Sequence, residues 1–218
     1  MNINKDDFPD VMVDIETTGT DSASCAIIQI AAVRFNLQAR TVSPDFFDRC
    51  LMIPTTRFWQ EGGRDFWVKR KELFHSISAR MEDPETVMRA LIEWCGGQRV
   101  LWAKPSHFEF PFLESYFRRY ELQTPFFYRS VNDQNSFFRG LYYPATVPDF
   151  ERSLPFVGEL HNGLYDTLHQ LKVLFHTVED AMAQRNAVLG AVGEIVGEMK
   201  QVLDTVGDGP DNPATGAA

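Results

Sequence analysis

The stretch Val11–Gly19, VMVDIETTG, constrains this chain more than any other. A short apolar run, Val11-Met12-Val13, leads into Asp14 and Glu16, with Ile15 between them. In an extended strand successive side chains point to opposite faces, so residues i and i+2 share one. Two carboxylates therefore stand side by side at the end of a buried strand. Left alone they repel, and one is pushed towards its protonated form. A hard divalent cation removes the conflict, because Mg2+ or Mn2+ prefers carboxylate oxygens. Thr17-Thr18-Gly19 reads as the turn leaving the strand. An ordinary strand end with two solvated acids would carry the same residues, so this stretch by itself leaves metal binding open.

Ala26–Leu37 (AIIQIAAVRFNL) reads as a long buried strand, and Phe46–Ile53 as a third that completes a meander. Pro54–Gly63 reads as a loop and Arg64–Phe74, which carries Trp67 and several basic residues, as a short helix. Pro84–Cys95 is a stronger helix, with Pro at its start, Glu85 in the first turn and Val87, Leu91 and Trp94 on one face. Gly96-Gly97 ends it. Val100–Ala103 is a short strand, followed by a break at Lys104-Pro105-Ser106 and a helix over His107–Tyr120, where Pro111 is tolerable near the first turn. A strand at Phe126–Arg129, a helix at Asn132–Gly140 and an irregular loop at Tyr142–Pro155 follow. Asn162–Phe175 is a helix with Leu164, Leu168, Leu171 and Phe175 inward. This order of elements predicts an α/β fold, a mixed β-sheet of a three-strand meander plus further strands, flanked by helices.

A second helix is expected over Val178–Val206, with Leu189, Val192, Val196, Met199, Leu203 and Val206 at steps of three and four. Gly190, Gly193 and Gly197 lie within it, each costing ~1 kcal/mol relative to Ala, which points to close approach of another backbone. The preferred reading is a helix that closes the domain's own core; the sharper one is a self-association helix, giving a homodimer. Residues 1–206 are thus expected to form a single domain, and 207–218, rich in Gly, Pro and Ala, a disordered tail.

The formal charge of −9 and a pI near 5.0 argue against a protein that coats nucleic acid through a basic surface. A nuclease stays open, because bound metals neutralise acidity where phosphate sits. Cys25, Cys50 and Cys95 show no metal-binding spacing, so reduced thiols and a cytoplasmic location are expected. Met1–Asp10 is polar and acidic rather than a signal peptide, and no run of ~18 apolar residues suggests a membrane span.

Two further acids fall where a metal centre built on Asp14 and Glu16 needs them. Glu109 sits one turn into a helix, in FEFPFL, where a surface acid favoured by the helix dipole reads equally well. Asp166 sits one turn into the helix at Asn162–Phe175, with His161 ahead of it in HNGLYD. Five residues are about 500° of helical rotation, so both face one site only if His161 lies in the loop before the helix. Asn162 and Gly163 are residue types that such a passage uses.

In order and spacing, DIETTG, FEFPFL and HNGLYD resemble the three motifs of the DEDDh exonucleases, the DnaQ-like branch of the ribonuclease H superfamily, over roughly Asp10–Thr177. FEFP, the Trp67 segment and the late HxxxxD look most like phage DexA-type exonucleases and the mycobacterial exoribonuclease RNase AS. The resemblance implies a ribonuclease H-like fold and a 3′–5′ exonuclease that takes single-stranded nucleic acid with a free 3′ end, RNA or DNA, to nucleoside 5′-monophosphates. It implies two divalent ions, Mg2+ or Mn2+, held by Asp14, Glu16 and Asp166, with His161 as general base. The family's second motif carries Asp where this chain has Glu109; the carboxylate is kept on a longer arm, and Glu109 is read as a ligand still.

Around the site the resemblance suggests substrate contacts at Thr17, Thr18, Trp67, Phe108, Arg129 and Asp133. Trp67 and Phe108 can stack on bases, an aromatic contact worth ~1–3 kcal/mol, or belong to a core rich in Phe. The segment Asn132–Asn135 reads equally as a helix cap. Two rival functions are a polymerase-bound proofreading subunit and an inactive binding module on the same fold. For the module Glu109 is the one hint, whereas Asp14, Glu16, His161 and Asp166 argue against it. A phosphatase is a more remote third.

Overall fold

The apolar runs become strands β1 (Asp10–Thr17), β2 (Ile27–Asn36), β3 (Thr41–Leu51), β4 (Met81–Glu82), β5 (Arg99–Ala103) and β6 (Phe126–Asp133) of one mixed sheet in the computed structural model, which describes residues 4–207. Their order is β4-β3-β2-β1-β5-β6. The meander β1–β2–β3 is antiparallel; β5 runs parallel to β1, β6 to β5 and β4 to β3. Around it lie α1 (Glu61–Val68), α2 (Lys71–Ser78), α3 (Pro84–Cys95), α4 (Ser106–Arg119), α5 (Gln134–Tyr142), the short α6 (Phe150–Ser153) and α7 (Gly163–Gly207). The expected mixed α/β architecture is the one observed.

β2 is buried along all but its last residue, which is why it reads as a near-continuous apolar run. Its two buried polar exceptions are largely paired, the Arg34 Nε alone lacking a hydrogen-bond partner. Buried Arg34 donates to the Trp94 carbonyl at 2.7 Å and to Asp45 at 2.6 Å, and stacks on the Trp94 ring. Buried Gln29 donates to Asp48 at 2.7 Å. On β1, Val11, Val13 and Ile15 join a core with Val87, Met88 and Leu91 of α3 and Phe112, Leu113 and Tyr116 of α4. Alternation then turns Asp14 and Glu16 away from that core.

Helix α3 has the bounds expected for it: the Asp83 side chain accepts from the Thr86 N–H at 2.9 Å, and Gly96 ends it in the left-handed region at φ 66°. Elsewhere the structure corrects the sequence reading. β3 starts at Thr41 rather than Phe46, because Thr41 and Val42 pair with Asn36 and Phe35; Pro44 sits in the resulting bulge, where no ladder N–H is needed. The single helix expected over Arg64–Phe74 is two, broken at Lys69-Arg70, so that Trp67 of α1 and Leu73 and Ile77 of α2 reach one apolar cluster with Ile28 and Cys50. β6 extends to Asp133, whose side chain caps α5 by accepting from the Ser136 N–H at 2.8 Å. The irregular loop at Tyr142–Pro155 contains α6.

The two helices expected at Asn162–Phe175 and Val178–Val206 are one, α7. The chain nevertheless divides into two units between Thr177 and Val178. In the first, the inward stripe of α7 runs through Gly163, Thr167, Leu171 and Leu174, one position off the expected Leu164–Leu168 line. Small residues at its start let the helix lie close on the sheet. In the second unit Leu189, Val192, Val196 and Met199 are all exposed, and no heavy atom lies within 4 Å of a Cβ built on Gly190, Gly193 or Gly197. The side chains of Leu203 and Val206, and the tail at 208–218, lie outside the described residues. Among the described residues no helix is long and apolar enough to cross a membrane.

The end of β1 is gripped by α1. A Cβ on Gly63 would collide with the Thr18 carbonyl oxygen, whereas one on Gly62 meets nothing within 4 Å. Gly63→Ala is therefore expected to lower Tm by roughly 4–10 °C, as overpacking against backbone does. Gly62→Ala is expected to hold or raise it, since Ala is the better helix residue. Equal melting curves for the two variants would show that this approach does not constrain the strand end.

Candidate active site

The strand end that carries the acids is fixed from several sides. The Thr18 N–H donates to the Ala26 carbonyl at 2.8 Å, and the Thr18 hydroxyl donates to the Phe58 carbonyl at 2.8 Å while accepting from the Ala26 N–H at 2.8 Å. Trp67 Nε1 donates to the Thr17 carbonyl at 2.9 Å. These bonds keep Asp14 to Thr17 extended, so Asp14 and Glu16 project from one face.

Helix α7 begins against that face. The Gly163 N–H donates to Gln29 Oε1 at 3.3 Å, and a Cβ on Gly163 would lie 3.2 Å from Ala31 Cβ and 3.6 Å from Asp14 Oδ2. Asn162 starts the helix, its side chain accepting from the Leu164 N–H at 3.3 Å and its carbonyl from the Asp166 N–H at 3.0 Å. One turn in, Asp166 faces the strand; one turn further, Gln170 Nε2 donates to Asp14 Oδ1 at 2.9 Å. His161 stays outside the helix at φ 65°, a left-handed conformation that His tolerates better than most side chains, and its N–H donates to the Asp166 carboxylate. The loop position required by the five-residue spacing is thus observed. Potential ligand atoms of Glu16, His161 and Asp166 all lie within 4.8 Å of one another.

Glu109 approaches from α4. It is buried, one carboxylate oxygen accepts from the Ile15 N–H, and Oε2 has no hydrogen-bond partner. The electrostatics of the cluster are those of crowded acids. Burial, with Asp166 adding, pushes Asp14 up to about 8 against the bond from Gln170. Burial, then Asp14 and Asp166, push Glu16 up to about 9, with Arg70 opposing. Glu109 rises well above the ordinary carboxylate range through burial and the charges of Asp14 and Glu16. Asp166 rises to about 6, by burial first and Glu151 after it, the His161 N–H opposing. His161 is held below its ordinary value by burial and by Arg70. A buried carboxylate oxygen without a donor, among three other raised acids and an imidazole, is a donor set that suits a hard divalent cation.

Other residues proposed from sequence fall out differently. Thr17 is half-buried, its hydroxyl donating to the Gly19 carbonyl at 2.7 Å, and it lines a 340 Å³ cleft with Glu16, Gln60, Phe66, Trp67 and Phe108. Phe108 is half-buried in that wall. Thr18 is fully buried with its hydroxyl spent on backbone, so it holds the fold rather than meeting a ligand. Trp67 is 4% exposed and belongs mainly to the core beneath α1 and α2. Arg129 is exposed on β6, its guanidinium over the Tyr128 ring, and is not brought to the cluster. Asp133 accepts from the N–H groups of Ser106 and Ser136, starting α4 and α5; burial raises its carboxyl, but these hydrogen bonds bring it below its usual value.

Three neighbours were not foreseen. Gln170 is one helical turn beyond Asp166, a spacing that could have flagged it. Gln29 ties the helix start to the sheet. Arg70, placed by the break between α1 and α2, sits 3.8 Å over the Phe66 ring, which packs edge-on against His161 at 5.0 Å. Arg70, Lys69 and Lys71 line a 580 Å³ cleft together with His161, and a second cleft of 460 Å³, which His161 also lines, is bounded by Asp14, Lys104, Asp166, His169 and Gln170.

Residues 9–178 match the model of the 3′–5′ exoribonuclease Rv2179c-like domain family. The chain belongs to that family. No curated protein sequence matches it. Among solved structures, this exoribonuclease-family chain is similar to the nuclease domain of 3′hExo, a DEDDh family member bound to rAMP, with a TM-score of 0.61 and 16% identity over 79% of this chain and 93% of that one. It is similar to the zinc-bound E. coli ExoI–ssDNA complex with a TM-score of 0.60 and 14% identity over 76% of this chain, and spans 39% of the length of that protein. S. pombe Pop2p, in its Mg2+- and Mn2+-bound form, gives 0.59 and 13% over 78% of this chain and 82% of that one. At these identities the likeness is one of fold, the ribonuclease H-like fold shared by DEDDh exonucleases.

The acid cluster sets a sign for stability against pH in metal-free protein. Carboxyls whose folded pKa is raised contribute fully below their unfolded values and lose that contribution as pH climbs through the folded ones. Between pH 5 and 9 the Tm in EDTA is expected to fall by roughly 5–10 °C. Mn2+ or Mg2+ is expected to restore it, with the larger gain at the higher pH. Asp14→Asn is expected to melt above wild type in EDTA at pH 8 and to lose the response to metal. Differential scanning fluorimetry reads all of this, and a metal-free Tm that rises with pH would contradict it.

Proposed function

We propose that this chain is a metal-dependent 3′–5′ exonuclease that hydrolyses the terminal phosphodiester of single-stranded RNA to nucleoside 5′-monophosphates. The observation that carries the reading is the convergence of Glu16, His161 and Asp166 within 4.8 Å, beside Asp14 and the unpartnered oxygen of Glu109. RNA is preferred over DNA because the family is described as one of exoribonucleases, while E. coli ExoI was solved with ssDNA and 3′hExo with rAMP.

Asp14, Glu16, Asp166 and Glu109 would hold two divalent ions, Mg2+ or Mn2+, which when bound supply Lewis-acid stabilisation of the phosphoryl oxygens. The chain's own groups do the rest. His161, held below its ordinary pKa by burial and Arg70, is neutral near pH 7 and accepts the proton of the attacking water. The bond from its N–H to Asp166 fixes the backbone that aims the ring. Gln170 orients Asp14 from one helical turn beyond Asp166. The cleft of Thr17, Gln60, Phe66 and Phe108 accommodates the terminal nucleoside, whose base can lie on an aromatic wall. A cytoplasmic setting fits three buried, free cysteines.

The test uses 5′-labelled single-stranded RNA and DNA with Mg2+, Mn2+ or EDTA, resolved as ladders over time. Metal-dependent shortening from the 3′ end, faster on RNA, is expected. His161→Ala is expected to slow it roughly 10²–10⁴-fold, the range that positioned proton transfer contributes, while metal binding is preserved. Glu109→Asp should be neutral or activating if the longer arm is a compromise, and inactivating if the site is built around Glu. Internal cuts, cleavage in EDTA or full activity in His161→Ala would sink the assignment.

A further inference from the structure

The unit from Val178 onward presents the largest run of exposed apolar side chains among the described residues. Met182, Leu189 and Val196 recur at steps of seven, as do Val192 and Met199, three positions after the first set. Val188 and Ile195 widen the same face. All seven are at least half exposed, from 50% at Val192 to 64% at Val188. Gln184, Glu194, Glu198 and Gln201 lie on the other side of the helix. Helices of this length gain most of their stability in water from packing such a face, so one left bare calls for a partner. The seven-residue period is that of a coiled-coil seam, Met182, Leu189 and Val196 forming one line of knobs and Val192 and Met199 the other.

We propose that this segment pairs antiparallel with the same segment of a second copy of the chain. The pattern is complementary to itself when reversed about a point between Gly190 and Ala191. Met182 then meets the partner's Met199, Leu189 meets the partner's Val192, and Val188 flanks the partner's Ile195. Arg185, the one charged residue on the seam, lies opposite the partner's Val196 and lays its aliphatic stem there while the guanidinium reaches water. At each end Glu179 faces the partner's Lys200, so opposite charges meet twice by symmetry. A parallel pair does neither thing: it stacks Arg185 on the partner's Arg185 and leaves Glu179 and Lys200 at opposite ends. Charge thus selects both the partner, a second copy, and its direction. The proposal is independent of the reaction assigned to the first unit.

Sedimentation of the full-length protein at micromolar concentration is expected to give twice the 24.9 kDa chain mass. Leu189→Asp with Val192→Asp should yield monomer that keeps its activity on short oligonucleotides. Lys200→Glu should weaken the dimer roughly tenfold, and adding Glu179→Lys should recover it, because the swap restores opposite charges across the pair. For direction, chains carrying Met182→Cys mixed with chains carrying Met199→Cys should oxidise to the mixed disulfide, whereas Met182→Cys alone should not cross-link. A monomeric wild type, or a dimer indifferent to the double Asp variant, would overturn the surface. Efficient self-cross-linking of Met182→Cys would overturn the antiparallel register. The cysteine variants leave the rest of the apolar face in place, so direction is read without relying on the disruptive pair.

Discussion

The close approach of the α7 N-terminus to β1 and β2 is the contact on which the candidate site depends. It is possible because residue 163 has no side chain, and it is held by the Gly163 N–H on Gln29, whose other end is tied to Asp48 on β3. From that start, helix geometry alone places Asp166 and Gln170 opposite Asp14. The same arrangement eases the cost of gathering acids. Glu109 lies in the first turn of α4 and Asp166 in the first turn of α7, so each sits at the positive end of a helix dipole. Helix ends of this kind offset part of the repulsion, and the raised pKa values show that part remains.

The remaining imbalance has a direction. On a chain with a formal charge of −9, Lys69, Arg70 and Lys71 line one cleft with His161, and Lys104 lines the second beside Glu151. Arg70 acts on Glu16 and on His161 while stacked over Phe66, which itself packs on the imidazole. That position exists because α1 and α2 are two helices rather than one. The interruption serves the core, by burying Trp67 and Leu73 together, and in doing so sets a guanidinium beside the acids.

What was legible in the sequence and what was not follows from the range over which each signal acts. The alternation along β1 fixed the common face of Asp14 and Glu16, and the caps of Asp83 and Gly96 fixed α3, because both are local rules. The rotation between His161 and Asp166 put the imidazole in the loop for the same reason. Thr18, Trp67 and Asp133 share residue types with ligand-binding positions, yet they are consumed by carbonyl, core and helix-cap contacts that involve residues 27 to 50 positions away. Gln29 and Gln170 are neutral amides whose bonds to the site reach Gly163 and Asp14, 134 and 156 positions away, so beyond the one-turn step from Asp166 to Gln170 no local pattern announces them. The apolar face beyond Val178 was visible, but periodicity says that a face must be covered and not by what.

Glu109 is where the chain departs from the resemblance, and its setting bears on whether the departure is decay. Keeping a fourth carboxylate buried beside Asp14 and Glu16 is costly, since burial and both neighbours disfavour its charge and one oxygen has no donor. A domain that had become a passive binder would gain stability from almost any neutral residue there. The longer side chain instead spans from α4 to the Ile15 N–H, which takes one oxygen and leaves the other buried without a partner. A group that is expensive when alone and inexpensive beside a cation fits the proposed reading of a site adjusted around a longer ligand better than it fits decay.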